Sequence, residues 1–382
     1  MESLSARKLI RLSKSCIGDA EEQAVMGVLD REYLGMGAEV EQFEQALFDF
    51  FGRPVVCVVN GTAALHLALQ ACGIGPGDEV LVQSLTYVAS FQAISATGAT
   101  PVACDIDPAT LTLDWRDAEK RLTPKTKAVM PVHYAGGVGA LDEIYAFARK
   151  HGLRVIEDAA HAFGTVYQGK RVGEFGDIAC FSFDGIKNIT SGEGGCIVSD
   201  DPEVLQHVCD ARLLGVEKDT ENRFAGNRSW EFDVAAQGWR YHMSNIMAAI
   251  GIEQLKKTQK FKEKKQKLVM EYIHQLSATN QIKIVLRGER VREVFPHIFP
   301  IILGPGSDRD RIIKSLKGKK IQTGIHYQPN HHLTYYKKEQ LVEPLTSTDA
   351  ISSKILTLPL HAELELEDIT YIATTLLDAI NE

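Results

Sequence analysis

The sequence predicts an α/β protein: a large domain with a mostly parallel central sheet covered by helices, then a smaller C-terminal α+β domain. Three observations carry this. Over the first 250 residues, short β-like runs alternate with helical patterns, the rhythm of a parallel sheet covered on both faces. After about residue 245 the texture changes to a long amphipathic helix followed by a second set of strands. Finally, ACFSF (179–183) and GGCIVS (194–199) are joined too closely for a crossover helix, so that pair is expected to be antiparallel. The expected division is a large domain over residues 1–250, then a connecting helix and small domain over 251–382.

Taken in order, VVCVV (55–59) leads through Asn60, Gly61 and Thr62 into the helix AALHLALQACG, which Gly73 ends. EVLVQS (79–84) is a second strand, followed by the helical SFQAISATG. PVACDI (101–106), KAVMPVHY (127–134) and LRVIEDA (153–159) are further strands, with the helix LDEIYAFARKHG between the last two. MSNIMAAIGIEQLKKTQKFKEKKQKLVMEYIHQL reads as a long, bent amphipathic helix, and its basic run from Lys256 to Lys267 as a solvated face. HIFPIIL (297–303) and KKIQTGIHY (319–327) are expected strands of the smaller domain, and LEDITYIATTLLDAINE is a closing helix. There is no internal repeat.

Of the 382 residues, 45% are hydrophobic and 24% charged, an ordinary globular composition. A formal net charge of −8 argues against a nucleic-acid or membrane-surface binder, either of which needs a basic face. The seven cysteines (Cys16, Cys57, Cys72, Cys104, Cys180, Cys196 and Cys209) form no C-x-x-C pair. They read as reduced thiols of a cytosolic protein, not as a disulfide or zinc framework. The opening MESLSARKLIRLSKS has no long apolar core, and no run reaches the ~20 apolar residues of a membrane helix, so the expected location is the cytoplasm.

The most informative stretch is FSFDGIKNITSGEGGCIVS (181–199). A strand ends in Ser182, Lys187 follows five residues later, and a turn with Gly192, Gly194 and Gly195 opens the next strand. A lysine at a strand exit can sit at the mouth of the sheet, where α/β proteins place ligands; desolvation there makes it an imine-forming nucleophile. The bland alternative is a surface lysine in a glycine-rich loop. VIEDAAHAFG (155–164) ends a buried strand in Glu157 and Asp158. A carboxylate there can hold the protonated nitrogen of a pyridine cofactor, though an acidic pair after a strand also serves as a cap or metal ligand. VVNGTAALHLAL (58–69) opens a helix with glycine and a hydroxyl residue, an N-terminus suited to phosphate; threonine is also a common N-cap.

These three segments in this order resemble the DegT/DnrJ/EryC1/StrS family of sugar aminotransferases, which share the fold of aspartate aminotransferase. The likeness covers nearly the whole chain: an opening helix and glycine hairpin in IGDAEEQAVMGVLDREYLGMGAEVEQFEQAL, then NGTAAL, TYVAS, DIDP, PVHYAG, EDAAHAFG, FSFDGIKN-GEGG, AAIGIEQL, GIHYQP and LPLH in family order. The resemblance implies pyridoxal 5'-phosphate (PLP, cycling with its amine form PMP) as cofactor, and a PLP-binding large domain. Lys187 would carry the cofactor as a Schiff base and shuttle the proton. Asp158 would pair with the pyridinium, Gly61, Thr62 and Ser182 would bind the phosphate, and Tyr87 would stack on the ring. His161 stands where the family commonly has Gln near the cofactor hydroxyl; a core histidine is the competing reading.

The resemblance also implies a homodimer with shared active sites. The family often reads G-x-N-x-R before the long helix, but GWRYHMSN here puts Arg240 at the Asn position and His242 at the Arg position. Arg240 can still serve a cofactor phosphate, or instead the substrate diphosphate. Arg228, His326, Tyr327 and His331 (with its neighbour His332) are candidates for a substrate rim. The adjacent histidines lack a carboxylate at ligand spacing, so no metal is expected. The implied reaction moves an amino group from L-glutamate to a nucleoside-diphosphate-linked 4-keto-6-deoxy sugar, dTDP-4-keto-6-deoxyglucose being preferred, since SGEGG (191–195) resembles the loop of C4 enzymes. Alternatives are a C3-specific enzyme or a non-catalytic PLP-binding regulator; retention of Lys187 speaks against the regulator and against the family's dehydratases. A nicotinamide enzyme would want G-x-G-x-x-G after the first strand, which NGTAALHLAL lacks.

Overall fold

The central strands are short runs of Val, Ile, Cys and Ala with no polar alternation, so they bury both faces. The structure is a computed structural model and describes residues 8–228, 230–286, 290–337 and 344–382. In chain order its strands are β1 (Val55–Val58), β2 (Glu79–Gln83), β3 (Thr100–Cys104), β4 (Thr126–Met130), β5 (Arg154–Asp158), the short pair β6 (Val166–Tyr167) and β7 (Lys170–Arg171), β8 (Ile178–Ser182), β9 (Gly195–Ser199), β10 (Ile282–Ile284), β11 (Phe299–Leu303) and β12 (Ile355–Leu358).

Seven of them form one sheet in the order β1-β9-β8-β5-β4-β2-β3. The pairs β2–β3, β2–β4, β4–β5 and β5–β8 are parallel. β9 runs antiparallel to both β8 and β1, as the short 179–199 connection requires. Its first residue, Gly195, stands opposite Ser182 on one side and Val58 on the other, so three strand ends meet at one point.

A core covers each face of this sheet. One is aliphatic and holds Val58, Leu67, Ile94 and Ile156; the other is aromatic and holds Phe43, Phe51, Phe163, Phe181 and Phe183. Burying each such phenyl ring contributes about 1.5–3 kcal/mol. The helix Gly61–Ala71 buries every residue from Ala63 to Leu69, which its nearly unbroken apolar sequence dictates. A three-stranded antiparallel sheet, β10-β11-β12, carries a separate core, and Ile10 from the N-terminal segment joins it.

Several expectations are corrected. KKIQTGIHY is not a strand: Ile321 makes a single bridge to Ile10 and Gly324 a single bridge to Thr357, with Lys320 at φ +60°. Strand β4 stops at Met130, and a 3-10 turn follows at Tyr134–Gly136. The long helix is two, Asn245–Lys256 and Thr258–Leu276, meeting at Lys257. Within the basic run, Lys262 and Lys265 are buried rather than solvated. Lys262 Nζ donates to the carbonyls of Gly164 and Glu293, both at 3.0 Å, and helical periodicity turns these two lysines inward while Lys260 and Lys267 face water. All seven cysteines are free thiols. Among the described residues no helix is long and apolar enough to cross a membrane; residues 1–7, which open the stretch read for a leader, lie outside them.

Candidate active site

The C-terminal ends of β1, β2, β5 and β8 surround a cavity of about 410 Å³, the position where open α/β sheets bind ligands. Its floor begins with the helix Gly61–Ala71. Asn60 caps this helix, its Oδ1 accepting from the Ala63 N–H at 2.8 Å. The Gly61 and Thr62 N–H groups, ahead of that bond, have no intrahelical acceptor and face the cavity end of the helix dipole.

Two glycines bring the elements together there. A Cβ on Gly61 would lie 2.8 Å from Ser182 Cβ and 3.2 Å from its Oγ. A Cβ on Gly195 would lie 2.6 Å from the carbonyl carbon and oxygen of Asn60 and 2.8 Å from the Gly61 nitrogen. Backbone amides, the Thr62 and Ser182 hydroxyls and the absence of side-chain bulk make a cradle that fits a phosphate dianion. The residues present therefore fit the phosphate end of PLP.

Strand alternation sorts the acidic pair. Asp158 faces the cavity, and Oδ2 accepts from Ser90 Oγ at 2.7 Å while Oδ1 accepts from the Ala160 N–H at 3.2 Å. Glu157 points to the opposite face, where it is fully buried against His133 Nε2 at 2.6 Å and the Tyr145 hydroxyl at 2.5 Å. Only Asp158 can meet a ligand ring.

Lys187 also lines the cavity. A turn places it: its N–H donates to the Asp184 carbonyl at 3.0 Å, and the Ile186 N–H donates to Asp184 Oδ1 at 3.2 Å. Burial pushes the Lys187 ammonium below its ordinary pKa, against the opposing pull of Asp158 and Asp184. The next residue, Asn188, anchors the turn by donating to the Phe295 carbonyl at 3.0 Å and accepting from Lys265 Nζ at 3.1 Å. Burial pushes Lys265 down to about 8, with Lys187 adding to the effect. Desolvation favours the neutral, nucleophilic form of the Lys187 amine.

On the wall formed by the smaller sheet's neighbourhood, His161 Nδ1 accepts from the Ala135 N–H at 3.3 Å, which assigns its proton to Nε2, 2.9 Å from the Tyr327 hydroxyl. Burial, with Lys187 next, holds His161 well below its ordinary pKa, so the ring is neutral. Tyr327 thus receives a hydrogen bond and keeps its own proton for the cavity it lines. His326 lines the same wall, Nδ1 lying 2.9 Å from Thr357 Oγ1. Tyr87 stands at the mouth, 59% exposed, with its ring 5.7 Å from that of Tyr327.

The structure thus brings Gly61, Thr62, Tyr87, Asp158, His161, Ser182, Lys187, His326 and Tyr327 to one cavity. It does not bring Arg228, Arg240 or His331 there. Both arginines are exposed, Arg240 on a segment bridged to Leu213. His331 turns instead to Ser84 and Asp349. Three contributors escaped the sequence reading: Ser90, Glu193 on the cavity lining, and Lys265. Ser90 had a signal in its helical position after Tyr87, whereas Lys265 was hidden in a basic run.

Comparisons with known proteins place the chain in a family and a fold. The model of the DegT/DnrJ/EryC1/StrS aminotransferase family matches residues 15–377. Among similar solved structures is PseC of Helicobacter pylori, an aminotransferase involved in pseudoaminic acid biosynthesis, at 27% identity with TM-score 0.90 over 98% of this chain and 100% of that one. The PLP form of the putative sugar aminotransferase Spr1654 from Streptococcus pneumoniae is 29% identical, with TM-score 0.89 over 98% and 99% of the chains. The aminotransferase TlmJ from Streptoalloteichus hindustanus is 28% identical, with TM-score 0.89 over 98% and 99%.

Proposed function

The chain belongs to the DegT/DnrJ/EryC1/StrS aminotransferase family and is a PLP-dependent sugar transaminase; from that premise we propose that it carries the amino group of L-glutamate to C4 of a nucleoside-diphosphate-linked 4-keto-6-deoxy sugar, dTDP-4-keto-6-deoxyglucose first among them. The transaminase part of this reading is supported by one cavity holding a desolvated lysine, a strand-end carboxylate and a helix N-terminus suited to phosphate; the C4 assignment rests on the likeness of SGEGG (191–195) to the loop of C4 enzymes.

Bound PLP supplies an electron sink for the carbon that gives up its proton. The chain's residues supply the rest. Gly61, Thr62 and Ser182 hold the phosphate at the helix N-terminus. Asp158, steadied by Ser90, holds the proton on the pyridine nitrogen. Lys187 Nζ would hold the cofactor, and as a desolvated amine it is the group placed to take a proton from the substrate carbon and return it. Tyr87 covers the ring at the mouth, and Tyr327, fixed by His161, presents its hydroxyl to the bound sugar or amino acid. Glutamate leaves as 2-oxoglutarate before the keto-sugar enters, so the order is ping-pong. Arg228 and Arg240, exposed and away from their own cavity, are assigned to the cavity of a second copy in a homodimer, where their guanidinium groups suit a diphosphate.

The test is to incubate the holoenzyme and glutamate with dTDP-, GDP- and UDP-linked keto-sugars and locate the new amine by NMR. The proposal expects turnover of a 4-keto-6-deoxy sugar with nitrogen at C4. Nitrogen at C3, or turnover of 3-keto sugars alone, would overturn the C4 assignment.

A further inference from the structure

Beyond the cavity, the fold assembles a group of metal-ligating side chains that are far apart in sequence. His331 Nε2 lies 3.1 Å from Asp349 Oδ1, and His332 Nε2 lies 3.0 Å from the same oxygen. The three donor atoms fall within 4.8 Å of one another, and the two imidazole rings stand 4.1 Å apart. A tetrahedral ion with ligand distances of about 2.1 Å separates its donors by about 3.4 Å; the two histidine–aspartate separations lie close to that value. The objection raised from sequence, that the histidine pair lacks a carboxylate, falls away because Asp349 reaches them from the helix Thr346–Ser352.

The surroundings are those of a held ligand set. Ser84 Oγ lies 2.7 Å from His331 Nδ1 and also accepts the His331 N–H at 3.2 Å. Such a contact at the far ring nitrogen fixes ring orientation and leaves Nε2 as the outward donor, the second interaction that metal-binding histidines generally make. Both ligand segments are tied to the large sheet. The buried Asn330 donates to the carbonyls of Ser84 and Thr86 at 3.1 and 2.9 Å. Asp105, just past β3, accepts from the Ser347 and Thr348 N–H groups at 2.9 and 2.8 Å and from the Thr348 hydroxyl at 2.7 Å. The donors are thus set on two short elements pinned to the neighbouring strand ends of β2 and β3. Two ring nitrogens converge on one carboxylate oxygen, an arrangement of three donor atoms that a divalent cation can share.

We propose that His331, His332 and Asp349 form a binding site for a divalent transition-metal cation of the zinc class, separate from the PLP cavity. Two imidazoles and one carboxylate select Zn²⁺ and its neighbours over Mg²⁺ and Ca²⁺, which want oxygen donors. The side chains of His332 and Asp349 are 46% and 43% exposed, so the ion enters from solvent and completes its coordination with water. The site bridges the segment that follows Tyr327 in sequence to the helix Thr346–Ser352, so its role is to brace the rim of the cavity; nothing in it depends on the sugar or on transamination.

The test is calorimetric titration of chelator-treated, PLP-loaded protein with Zn²⁺, together with the visible spectrum on Co²⁺ addition. One ion per chain is expected, with the Co²⁺ band of a tetrahedral N/O site. His332→Ala and Asp349→Asn are both surface changes and should each weaken binding by about tenfold or more. His274→Ala, which alters another exposed histidine, should leave binding unchanged. Circular dichroism melts of the same variants establish that they are folded. No uptake by the wild type, or uptake that His332→Ala and Asp349→Asn leave unaltered, overturns the proposal.

Discussion

Lys265 is a buried cation without a carboxylate partner among the described residues, and the consequence of removing it can be worked from the structure. Its ammonium donates to Asn188 Oδ1 and lies 5.6 Å from the centre of the Phe295 ring. Burial sets its folded pKa at about 8 against an ordinary value of 10.5. At about 1.4 kcal/mol per pH unit, the charged form in the folded state costs about 3 kcal/mol. Because the folded pKa is depressed, the unfolded chain binds more protons between about pH 8 and 10.5, so wild-type stability gains from this group as pH rises through that window. Below pH 8 the lysine is charged in both states and the cost is constant. Lys265→Met has no such term. The difference in unfolding free energy, wild type minus Lys265→Met, should therefore rise by about 3 kcal/mol between pH 7 and 10.5. Lysines distant from Lys265 titrate equally in both proteins and cancel, while its neighbours Lys187 and Cys16 modify the difference. At pH 7 the variant loses the Asn188 bond, at about 1–3 kcal/mol, which offsets part of its gain. Urea unfolding of both proteins at matched pH reads the difference directly. If the two stability curves run parallel from pH 7 to 10.5, Lys265 is not a buried cation held at the cost of its desolvation.

The remaining predictions concern the cavity. Gly195→Ala forces a methyl onto the Asn60 backbone and should cost about 1–3 kcal/mol of stability or open the phosphate cradle; PLP titration with parallel melting curves checks this, and unchanged values in both would contradict it. Ser90→Ala removes a hydrogen bond to a buried carboxylate, worth about 1.5–3 kcal/mol, and should lower PLP affinity by about tenfold or more. Ser95→Ala, on the same helix but with no hydroxyl partner among the described residues, should not, so equal affinities for the two variants would sink the role given to Ser90. Mixing inactive Lys187→Ala chains with impaired Arg240→Ala chains should restore activity through hybrid dimers, since one cavity then has both groups; no recovery after subunit exchange would remove Arg240 from the shared site.

The sheet and its antiparallel β8–β9 pair were legible from local patterns, apolar runs and a short connection. The convergence of Gly61, Asp158, Ser182 and Lys187 was legible only from the order of three segments that resembles the family, each segment alone admitting a plainer reading. Residues whose place depends on distant chain segments were not legible. The turn of Lys265 toward Asn188 depends on the packing of the helix Thr258–Leu276 against the loop after β8, which a lysine-rich run conceals. Asp349 reaches His331 and His332 only because Asp105 pins its helix. KKIQTGIHY has the composition of a strand, yet its backbone finds only two single bridges. The choice between Glu157 and Asp158 is geometric, settled by which face of β5 each occupies.

The central claim is that Lys187 carries the cofactor, and the most direct test is the absorbance spectrum of wild type and Lys187→Ala with PLP, before and after L-glutamate. The account predicts a visible lysine-imine band in the wild type that glutamate converts to the shorter-wavelength pyridoxamine form, and its absence from Lys187→Ala although that variant still binds PLP at the Gly61–Thr62 cradle. A wild type without the band, or a variant spectrum indistinguishable from wild type, would contradict it.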